Sequence, residues 1–201
     1  MATATNIAWH DGQVSREDRQ RLLQQKGVTV WLTGLSAAGK STIACLLEKL
    51  LLDQGRHAYR LDGDNIRHGL SRNLGFSAED RAENIRRIGE VARLFTDAGV
   101  ITLASFISPY RRDREALRAS VPLGDFVEVY VKVSLATAQQ RDPKGLYKKA
   151  MAGEITGFTG VDDPYEEPTM PEITVDTDRL RPEQSATEIL AYLLTHGYLR
   201  A

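Results

Sequence analysis

Residues 34–41 have the types and spacing that bind phosphate groups. They read Gly-Leu-Ser-Ala-Ala-Gly-Lys-Ser and match the pattern Gly-x-x-x-x-Gly-Lys-Ser/Thr at every fixed position. The glycines allow successive backbone N–H groups to point inward, and a helix that begins here contributes its partial positive charge. Lys40 can reach the β- and γ-phosphates, and Ser41 can ligate Mg²⁺. The stretch therefore predicts a site for a nucleoside triphosphate.

Two carboxylates separated by one glycine are the second candidate for chemistry. Asp62-Gly63-Asp64 follows a short predicted strand. Carboxylates aimed at a phosphate site can hold the water shell of Mg²⁺ and accept a proton from an attacking hydroxyl. An Asp-Gly-Asp segment is more often a solvated turn. Its position after the first strand that follows the phosphate loop favours the catalytic interpretation.

Arginine and asparagine side chains beyond these carboxylates can bind an anionic second substrate. Arg67 follows Asp64 closely, and Arg81 and Asn84 lie three residues apart on one face of a predicted helix. A guanidinium can pair with an anionic group through two parallel hydrogen bonds. We interpret the other arginines of this helix as solubilising surface residues, namely Arg86, Arg87 and Arg93.

The composition limits the kinds of partner. A chain of 201 residues with 42% hydrophobic and 26% charged residues predicts a single domain over 1–201, with an N-terminal segment at 1–25. The net charge of -1 argues against nucleic acid, which would favour a basic surface. A membrane span needs a run of about 18 apolar residues, which the sequence lacks. A small-molecule substrate is favoured.

The single cysteine and the first residues bear on the compartment. Cys45 falls within the apolar face predicted for the helix after the phosphate loop, so we expect a small buried side chain. Residues 1–5 do not have the charged and apolar regions of a secretory signal. We therefore expect a cytoplasmic location, or an organellar one if a transit peptide has been removed.

Strand and helix patterns alternate along the segments that must position these residues. Apolar or β-branched runs predict strands at 28–33, 56–61, 100–106, 126–133 and, more weakly, 173–175. Helices are predicted at 42–52, from 77 to 98 and at 182–196. Near-continuous apolar strands are typical of parallel sheets. We predict an α/β fold of the P-loop NTPase type, a three-layer sandwich with a parallel five-stranded sheet and helices on both faces.

The carboxyl ends of parallel strands meet at one edge of a sheet, so residues 34–41, 62–65 and 105–111 are expected to line one cleft. Residues 142–171 break the alternation, because they contain four glycines and four prolines and show no strand period. We interpret this segment as a lid and binding loop that closes over the phosphates, with disorder as the alternative.

Five blocks together resemble the adenylylsulfate kinase (APS kinase) family, in the order and spacing of that family. The resemblance covers about residues 6–199 and is highly specific. The blocks are Leu61-Asp62-Gly63-Asp64-Asn65-Ile66-Arg67, Leu74-Gly75-Phe76-Ser77, residues 80–87 from Asp80 to Arg87, Phe106-Ile107-Ser108-Pro109-Tyr110-Arg111, and Asp142-Pro143-Lys144-Gly145-Leu146-Tyr147-Lys148.

The resemblance implies a kinase that transfers the γ-phosphoryl group of ATP, with Mg²⁺, to the 3′-hydroxyl of adenosine 5′-phosphosulfate. The product would be 3′-phosphoadenosine 5′-phosphosulfate, the activated sulfate donor of sulfate assimilation. Such chemistry needs an in-line hydroxyl, a metal ion and positive charge around the transition state. A homodimer is also implied.

The resemblance assigns roles to individual residues. Lys40, Asp62 and Ser108 would be catalytic, and Ser41 and Asp62 would hold the metal. ATP would contact Gly34, Leu35, Ser36, Ala37, Ala38, Gly39, Lys40, Ser41, Thr42 and Arg141. The acceptor would contact Asp64, Asn65, Arg67, Phe76, Arg81, Asn84, Ile107, Ser108, Lys144, Gly157 and Phe158. Phe76 and Phe158 would stack on its adenine ring.

Two questions stay open at this point. Asp62 can act as base or as anchor of a metal-bound water. Ser108 matches a serine described as a phosphoserine intermediate in related enzymes, but no neighbouring base activates it, so we expect direct transfer and contacts from Ile107 and Ser108 to the acceptor. The alternative functions are another small-molecule P-loop kinase, favoured if Phe76 and Phe158 are core residues, and a nucleotide-dependent binding module.

Overall fold

A computed structural model describes Thr5, Ile7, Ala8, His10 and residues 12–199. Strands and helices alternate through most of this part of the chain. The strands are β1 (Val28–Thr33), β2 (Ala58–Asp62), β3 (Ile101–Ser105), β4 (Phe126–Lys132) and β5 (Ile173–Asp176). The helices are α1 (Arg16–Leu23), α2 (Lys40–Asp53), α3 (Gly63–Arg67), α4 (Ala78–Asp97), α5 (Arg111–Ala119), α6 (Leu135–Arg141), α7 (Leu146–Met151) and α8 (Pro182–Thr195).

The strands form one parallel sheet in the order β2-β3-β1-β4-β5. The central strand β1 pairs on both sides, with Val30 opposite Leu103 of β3 and Val127 of β4. The chain leaves β1 in one direction towards β2 and later returns to the other side for β4. Loops after β1 and β3 therefore open into the crevice where open α/β sheets bind their ligands.

Alternate side chains of β1 belong to two different cores, one on each face of the sheet. Val28, Val30 and Leu32 pack in a core shared with α2 and α8. Trp31 belongs to a second core shared with α4 and α5, where its ring stacks on Phe106 with centroids 5.4 Å apart. This period of two places a helical layer on each face. The predicted three-layer sandwich with a parallel five-stranded sheet is confirmed.

Helix α1 lies within the predicted N-terminal segment 1–25 and was not predicted as a helix. Ser15 and Asp18 form a capping box at its start. The Arg16 guanidinium makes two hydrogen bonds to Asp125, at 2.6 and 2.7 Å, which hold the helix against the turn before β4. Most residues of α1 are polar, so hydrophobic periodicity gives no signal there.

One local expectation is wrong, and one segment is more ordered than its pattern suggested. Cys45 is exposed, because it lies about 200° around α2 from Ile43 and from Leu47, which are both buried. The segment 142–171 contains the helix α7, whose Tyr147 side chain is 1% exposed and donates a hydrogen bond to the Ser36 carbonyl at 3.2 Å. The proposed lid is therefore anchored to the phosphate loop along part of its length.

Within the described residues, no helix combines the length and apolar character needed to cross a membrane.

Candidate active site

The phosphate loop has a backbone that only glycine accommodates at its two fixed positions. Gly34 has φ +153° and a Cβ there would lie 2.4 Å from the Val131 carbonyl oxygen. Gly39 has φ +96° and forms the N-cap of α2, which no described side chain caps. The first N–H groups of α2 are therefore available to an anion, together with the positive end of the helix dipole.

Lys40 extends back across this loop. Its side chain is buried, and Nζ donates to the carbonyl oxygens of Gly34 at 2.8 Å and of Leu35 at 2.7 Å. Burial lowers the pKa of Lys40 to about 7, whereas the nearby carboxylate of Asp62 partly opposes that shift. A bound polyphosphate would supply the negative charge that this buried ammonium needs.

Asp62 is a buried carboxylate that lines the same cleft as Lys40. It is 7% exposed and forms the N-cap of α3, where Oδ1 accepts from the Asp64 N–H at 3.2 Å. Within the described part of the chain Oδ2 has no hydrogen-bond partner, and the closest cation is Arg60, 3.5 Å away. A buried carboxylate oxygen without a donor is suited to a metal-bound water or a substrate hydroxyl.

The residues around Asp62 fit a Mg²⁺ ion held largely by phosphates and water. The Ser41 hydroxyl lies 3.3 Å from that of Ser105 at the end of β3. Among the described residues there is no cluster of three or more His, Cys, Asp or Glu side chains that would form an all-protein metal cage. Mg²⁺ in nucleotide sites commonly takes only one or two protein ligands, so Ser41 and Asp62 are sufficient.

One cleft of about 500 Å³ joins the phosphate loop to the predicted acceptor residues. Seventeen residues that the sequence predicted for the site line it: Ser36, Ala37, Gly39, Lys40, Ser41, Thr42, Asp62, Asp64, Arg67, Phe76, Arg81, Asn84, Ile107, Ser108, Lys144, Gly157 and Phe158. The cleft was predicted from the meeting of three strand ends, and the structure brings these loops together.

Five predicted binding residues are outside the lining that the described residues form: Gly34, Leu35, Ala38, Asn65 and Arg141. The first two accept the hydrogen bonds of Lys40. Arg141 donates to the Thr177 hydroxyl at 3.1 Å, and that hydroxyl donates to the Ala38 carbonyl. Arg141 is thereby connected to the phosphate loop through Thr177, and its predicted contact with ATP stays a prediction.

Arg67 and Phe76 form a unit on the acceptor side of the cleft. Arg67 donates to the carbonyl oxygens of Leu74 at 3.1 Å and Gly75 at 2.9 Å, and its guanidinium lies 4.3 Å from the centre of the Phe76 ring. Burial, and then the charge of Arg81, lower the pKa of Arg67. Phe76 is 68% exposed, so it is not a core residue and can offer a ring face to a ligand.

Arg81 connects α4 to the segment 142–171. It donates to the Thr159 hydroxyl at 2.6 Å, to Asp163 at 3.3 Å and to the Gly157 carbonyl. Its Nε donates to the Phe76 carbonyl at 2.9 Å. The guanidinium therefore links the backbone of Phe76 to that of Gly157, the residue before Phe158.

Asn84 and Phe158 complete this half of the cleft. Asn84 is 5% exposed, and its Oδ1 has no hydrogen-bond partner within the described residues. Phe158 is half-buried, with its ring edge-on to Tyr147 at 5.0 Å between centroids. A buried amide oxygen without a donor, in the same cleft as the Phe76 and Phe158 rings, fits a ligand that carries N–H or O–H groups.

Lys144 and Asp64 form an ion pair across the mouth of the cleft. Their side chains are 58% and 66% exposed, so solvent screens the pair. In the ligand-free protein each of these two side chains therefore binds the other, and the predicted contacts with the acceptor would have to replace this ion pair.

The Ser108 hydroxyl lies in a buried hydrogen-bond network. Trp31 Nε1 donates to Ser108 Oγ at 3.0 Å, and Ser108 Oγ donates to the Thr33 hydroxyl at 3.0 Å. Ser108 has φ +41°, and its carbonyl oxygen accepts from Arg114 at 2.6 Å. This arrangement holds the segment 107–109 against the cleft and leaves no carboxylate or imidazole bonded to the hydroxyl among the described residues.

Sequence reasoning missed several residues that line or support the cleft. Ile85, Leu146, Thr156 and Thr159 are among those that line it without having been assigned to the site. Arg114, which was not considered, is 2% exposed and also donates to Glu128 and to the Glu166 carbonyl. A signal was present only for Arg114, since arginine at helical spacing from buried Leu117 is a candidate for a buried ion pair.

Of the three arginines interpreted as surface residues, Arg87 is more buried than expected, because it donates to Leu70 and Asn73.

Comparisons with known proteins identify the same family as the sequence blocks. The family model described as adenylylsulphate kinase matches residues 26–176. A chloroplastic adenylyl-sulfate kinase 2 of Arabidopsis thaliana is 59% identical over 98% of this chain and 68% of its own length. An adenylyl-sulfate kinase of Staphylococcus epidermidis is 53% identical over 99% of this chain and 100% of its own.

A solved structure agrees with these relatives. The Mycobacterium tuberculosis APS kinase CysC, in complex with AMPPNP and APS, matches with a TM-score of 0.80 and 47% sequence identity. The match covers 85% of this chain and 99% of that one. The two chains therefore share their fold over most of their length.

Proposed function

This chain belongs to the adenylylsulfate kinase family, and from that premise we propose how its residues divide the work of the reaction. The chain is an ATP-dependent kinase that phosphorylates adenosine 5′-phosphosulfate (APS) to 3′-phosphoadenosine 5′-phosphosulfate. The observation that supports our division is one cleft with a phosphate loop at one end and Phe76, Arg81, Asn84 and Phe158 at the other.

The donor half binds ATP through residues 34–42. The inward N–H groups and the α2 N-terminus hold the phosphates, and Lys40 exchanges the Gly34 and Leu35 carbonyls for phosphate oxygens. Ser41, and Asp62 through a water, would hold Mg²⁺, which would supply charge neutralisation at the phosphates. Arg141 would reach the nucleotide from the side of Thr177.

The acceptor half positions the 3′-hydroxyl. The adenine ring lies between Phe76 and Phe158, and Arg67, Arg81 and Lys144 attract the phosphosulfate group. Asn84 Oδ1 accepts a hydrogen bond from the acceptor, which satisfies its unpartnered oxygen. Asp64, Asn65, Ile107, Ser108 and Gly157 complete the contacts.

The transfer itself is direct. The acceptor 3′-oxygen bonds to the γ-phosphorus while the bond from that phosphorus to the bridging oxygen of ADP breaks. Asp62 Oδ2 accepts the hydroxyl proton, because it is a buried carboxylate oxygen without a donor. Lys40 stays against the transferred group and stabilises its charge. Ser108 acts through position rather than as a nucleophile, since its Oγ is held between Trp31 and Thr33.

Product formation tests this function. The protein incubated with ATP, Mg²⁺ and APS is expected to release one ADP for each 3′-phosphorylated product. Release of ADP without that product would contradict the function. Omission of Mg²⁺, with a chelator present, is expected to abolish turnover and to test the metal.

We also propose a single domain over residues 1–201, a homodimer and a cytoplasmic or organellar location. The domain is supported by one sheet that carries both helical layers, and the dimer follows from family resemblance. Light scattering after size-exclusion chromatography would give twice the chain mass of 22.3 kDa for a dimer.

A further inference from the structure

Residues 157–163, which we call the aromatic turn, carry Phe158 into the cleft. The turn is closed by backbone hydrogen bonds from Val161 and Asp163 to the Phe158 carbonyl, at 3.0 and 3.3 Å, and from Gly160 to the Asp163 carbonyl at 2.8 Å. Gly157 and Gly160 both have positive φ, +65° and +91°. These bonds close the turn after Phe158. They do not involve the N–H groups of Gly157 and Phe158, which need another acceptor.

The Asp162 carboxylate satisfies them. Oδ2 accepts from the Gly157 N–H and Oδ1 accepts from the Phe158 N–H, each at 2.6 Å. Both oxygens of one carboxylate are therefore engaged with consecutive peptide groups, and these bonds lower the pKa of Asp162. Asp162 itself is exposed and contributes little to the core.

The aromatic turn also contacts both halves of the cleft. A Cβ on Gly160 would lie 3.1 Å from the Leu35 side chain of the phosphate loop. On the other side, Arg81 donates to the Gly157 carbonyl and to the Thr159 hydroxyl. The orientation of the peptide between Gly157 and Phe158 therefore determines both the position of the Phe158 ring and the direction of the carbonyl that Arg81 binds.

We propose that Asp162 is a positioning residue for the acceptor, because its carboxylate fixes the Gly157–Phe158 backbone and thereby presents the Phe158 ring to the adenine of APS. The inference rests on the proposed acceptor pocket. Asp162 is not itself among the described residues that line the cleft, and it acts through Gly157 and Phe158, which are. Its effect is on the affinity of the acceptor, since a turn that is not held in place must be ordered when the acceptor binds.

Steady-state kinetics of Asp162→Ala test the proposal. We expect the KM for APS to rise about tenfold, the order of magnitude for ordering a loop on binding, while the KM for ATP changes less than about twofold. For Asp162→Asn, which keeps one oxygen acceptor, the KM for APS is expected to lie between that of the unmodified chain and that of Asp162→Ala. Asp18→Ala is the matched control, because Asp18 is also exposed and accepts a hydrogen bond from a backbone N–H, that of Ser15, far from the cleft.

A double variant separates positioning from general destabilisation. In the Phe158→Ala background, Asp162→Ala is expected to cause no further rise in the KM for APS. Unchanged KM for APS in both Asp162 variants, equal rises for both substrates, or effects that add to those of Phe158→Ala would each overturn the proposal. If Phe158→Ala alone leaves the KM for APS unchanged, the acceptor is not beside Phe158, and the pocket assignment fails together with this inference. Loss of folding in Asp162→Ala leaves the Asp162→Asn measurement to decide.

Discussion

The two halves of the cleft are built from contacts of very different range. In the donor half, Lys40 bonds to carbonyl groups five and six residues away in the chain. In the acceptor half, Arg81 bonds to residues 76 and 78 positions away, and Lys144 pairs with Asp64 across 80 positions. The hydrogen bonds of Lys40 can therefore form within one local segment, although Tyr147 and Thr177 also donate to carbonyls of the loop. The contacts of Arg81 and Lys144 form only after the sheet and the segment 142–171 are in place.

The difference also concerns how the charges are balanced. The donor half places one buried ammonium among backbone carbonyls, with no anion in hydrogen-bond contact among the described residues. The acceptor half pairs its cations with carboxylates and carbonyls of the protein. Binding of ATP therefore relieves a buried charge, whereas binding of the acceptor exchanges one set of polar contacts for another.

Asp62→Asn gives the largest effect that we expect, because Asp62 lies where the two halves meet. The amide keeps the N-cap bond to the Asp64 N–H but cannot accept the hydroxyl proton. Turnover is expected to fall about 10²- to 10⁴-fold, the range of a positioned base, while binding of ATP is retained. Asp53→Asn, at an exposed helical ion pair with Lys49, is the control. A near-normal rate would remove Asp62 as base and as metal anchor.

Arg81→Met tests whether the acceptor half can be damaged alone. The variant removes charged hydrogen bonds to Thr159 and Gly157 as well as the cation for the acceptor, each worth about 1.5–3 kcal/mol. We expect the KM for APS to rise about 10- to 150-fold, with the KM for ATP nearly unchanged. Arg86→Met on the exposed face of α4 is the control, since Arg86 forms its ion pair with Glu83, three residues away on the same helix. Equal rises for both substrates would show that the halves are not separable.

The same difference explains what could be predicted from sequence. The phosphate loop, the five strands and the parallel sheet follow from local spacing and hydrophobic runs. Phe76 and Phe158 were identified only through family resemblance, because contacts across 70 or more positions leave no periodic signal. Arg81 and Asn84 were already candidates from their spacing on one face of a predicted helix. The strand ends placed the cleft correctly, since the geometry of a parallel sheet fixes where its loops meet.

Other features depended on details that spacing does not encode. The buried network of Trp31, Thr33 and Ser108 joins two residues of β1 to the segment that follows β3, and its hydrogen bonds follow from packing. Helix α1 is held by a capping box and by Arg16 with Asp125, neither of which requires an apolar face. Cys45 was wrongly predicted to be buried, because it was included in the apolar face of α2, which ends at the neighbouring residue Ala44.

The pH dependence of ATP binding tests the charge balance of the donor half. Burial lowers the pKa of Lys40 to about 7 in the free protein, and bound phosphates would raise it again. Above pH 7, binding must then take up a proton, so affinity is expected to fall by up to tenfold per pH unit. Calorimetry in buffers of different ionisation enthalpy would measure this uptake. Lys40 also holds fewer protons folded than unfolded between pH 7 and 10.5, so its contribution to the free energy of unfolding increases with pH there.

An absence of proton uptake at about pH 8.5 would mean that Lys40 has the ordinary pKa of lysine in the free protein. The charge of the donor half would then be compensated without ATP, as the charges of the acceptor half are compensated without APS. Lys40→Met serves as the control, because it removes the titrating group and is expected to abolish the uptake while the fold is kept.

Lys144→Ala gives the smallest effect that we expect, and it tests the mouth of the cleft. The ion pair of Lys144 with Asp64 is largely exposed, and exposed pairs contribute about 0.2–1 kcal/mol. The KM for APS is expected to rise no more than about fivefold, and the difference from the unmodified chain is expected to shrink at high salt. Initial rates at low and high ionic strength measure both. A rise as large as that of Arg81→Met, insensitive to salt, would mean that Lys144 is desolvated when the acceptor binds. The segment 142–171 would then close tightly enough to make Lys144 part of the pocket. The ligand would compensate the charge of Lys144 in the acceptor half, as ATP compensates that of Lys40 in the donor half.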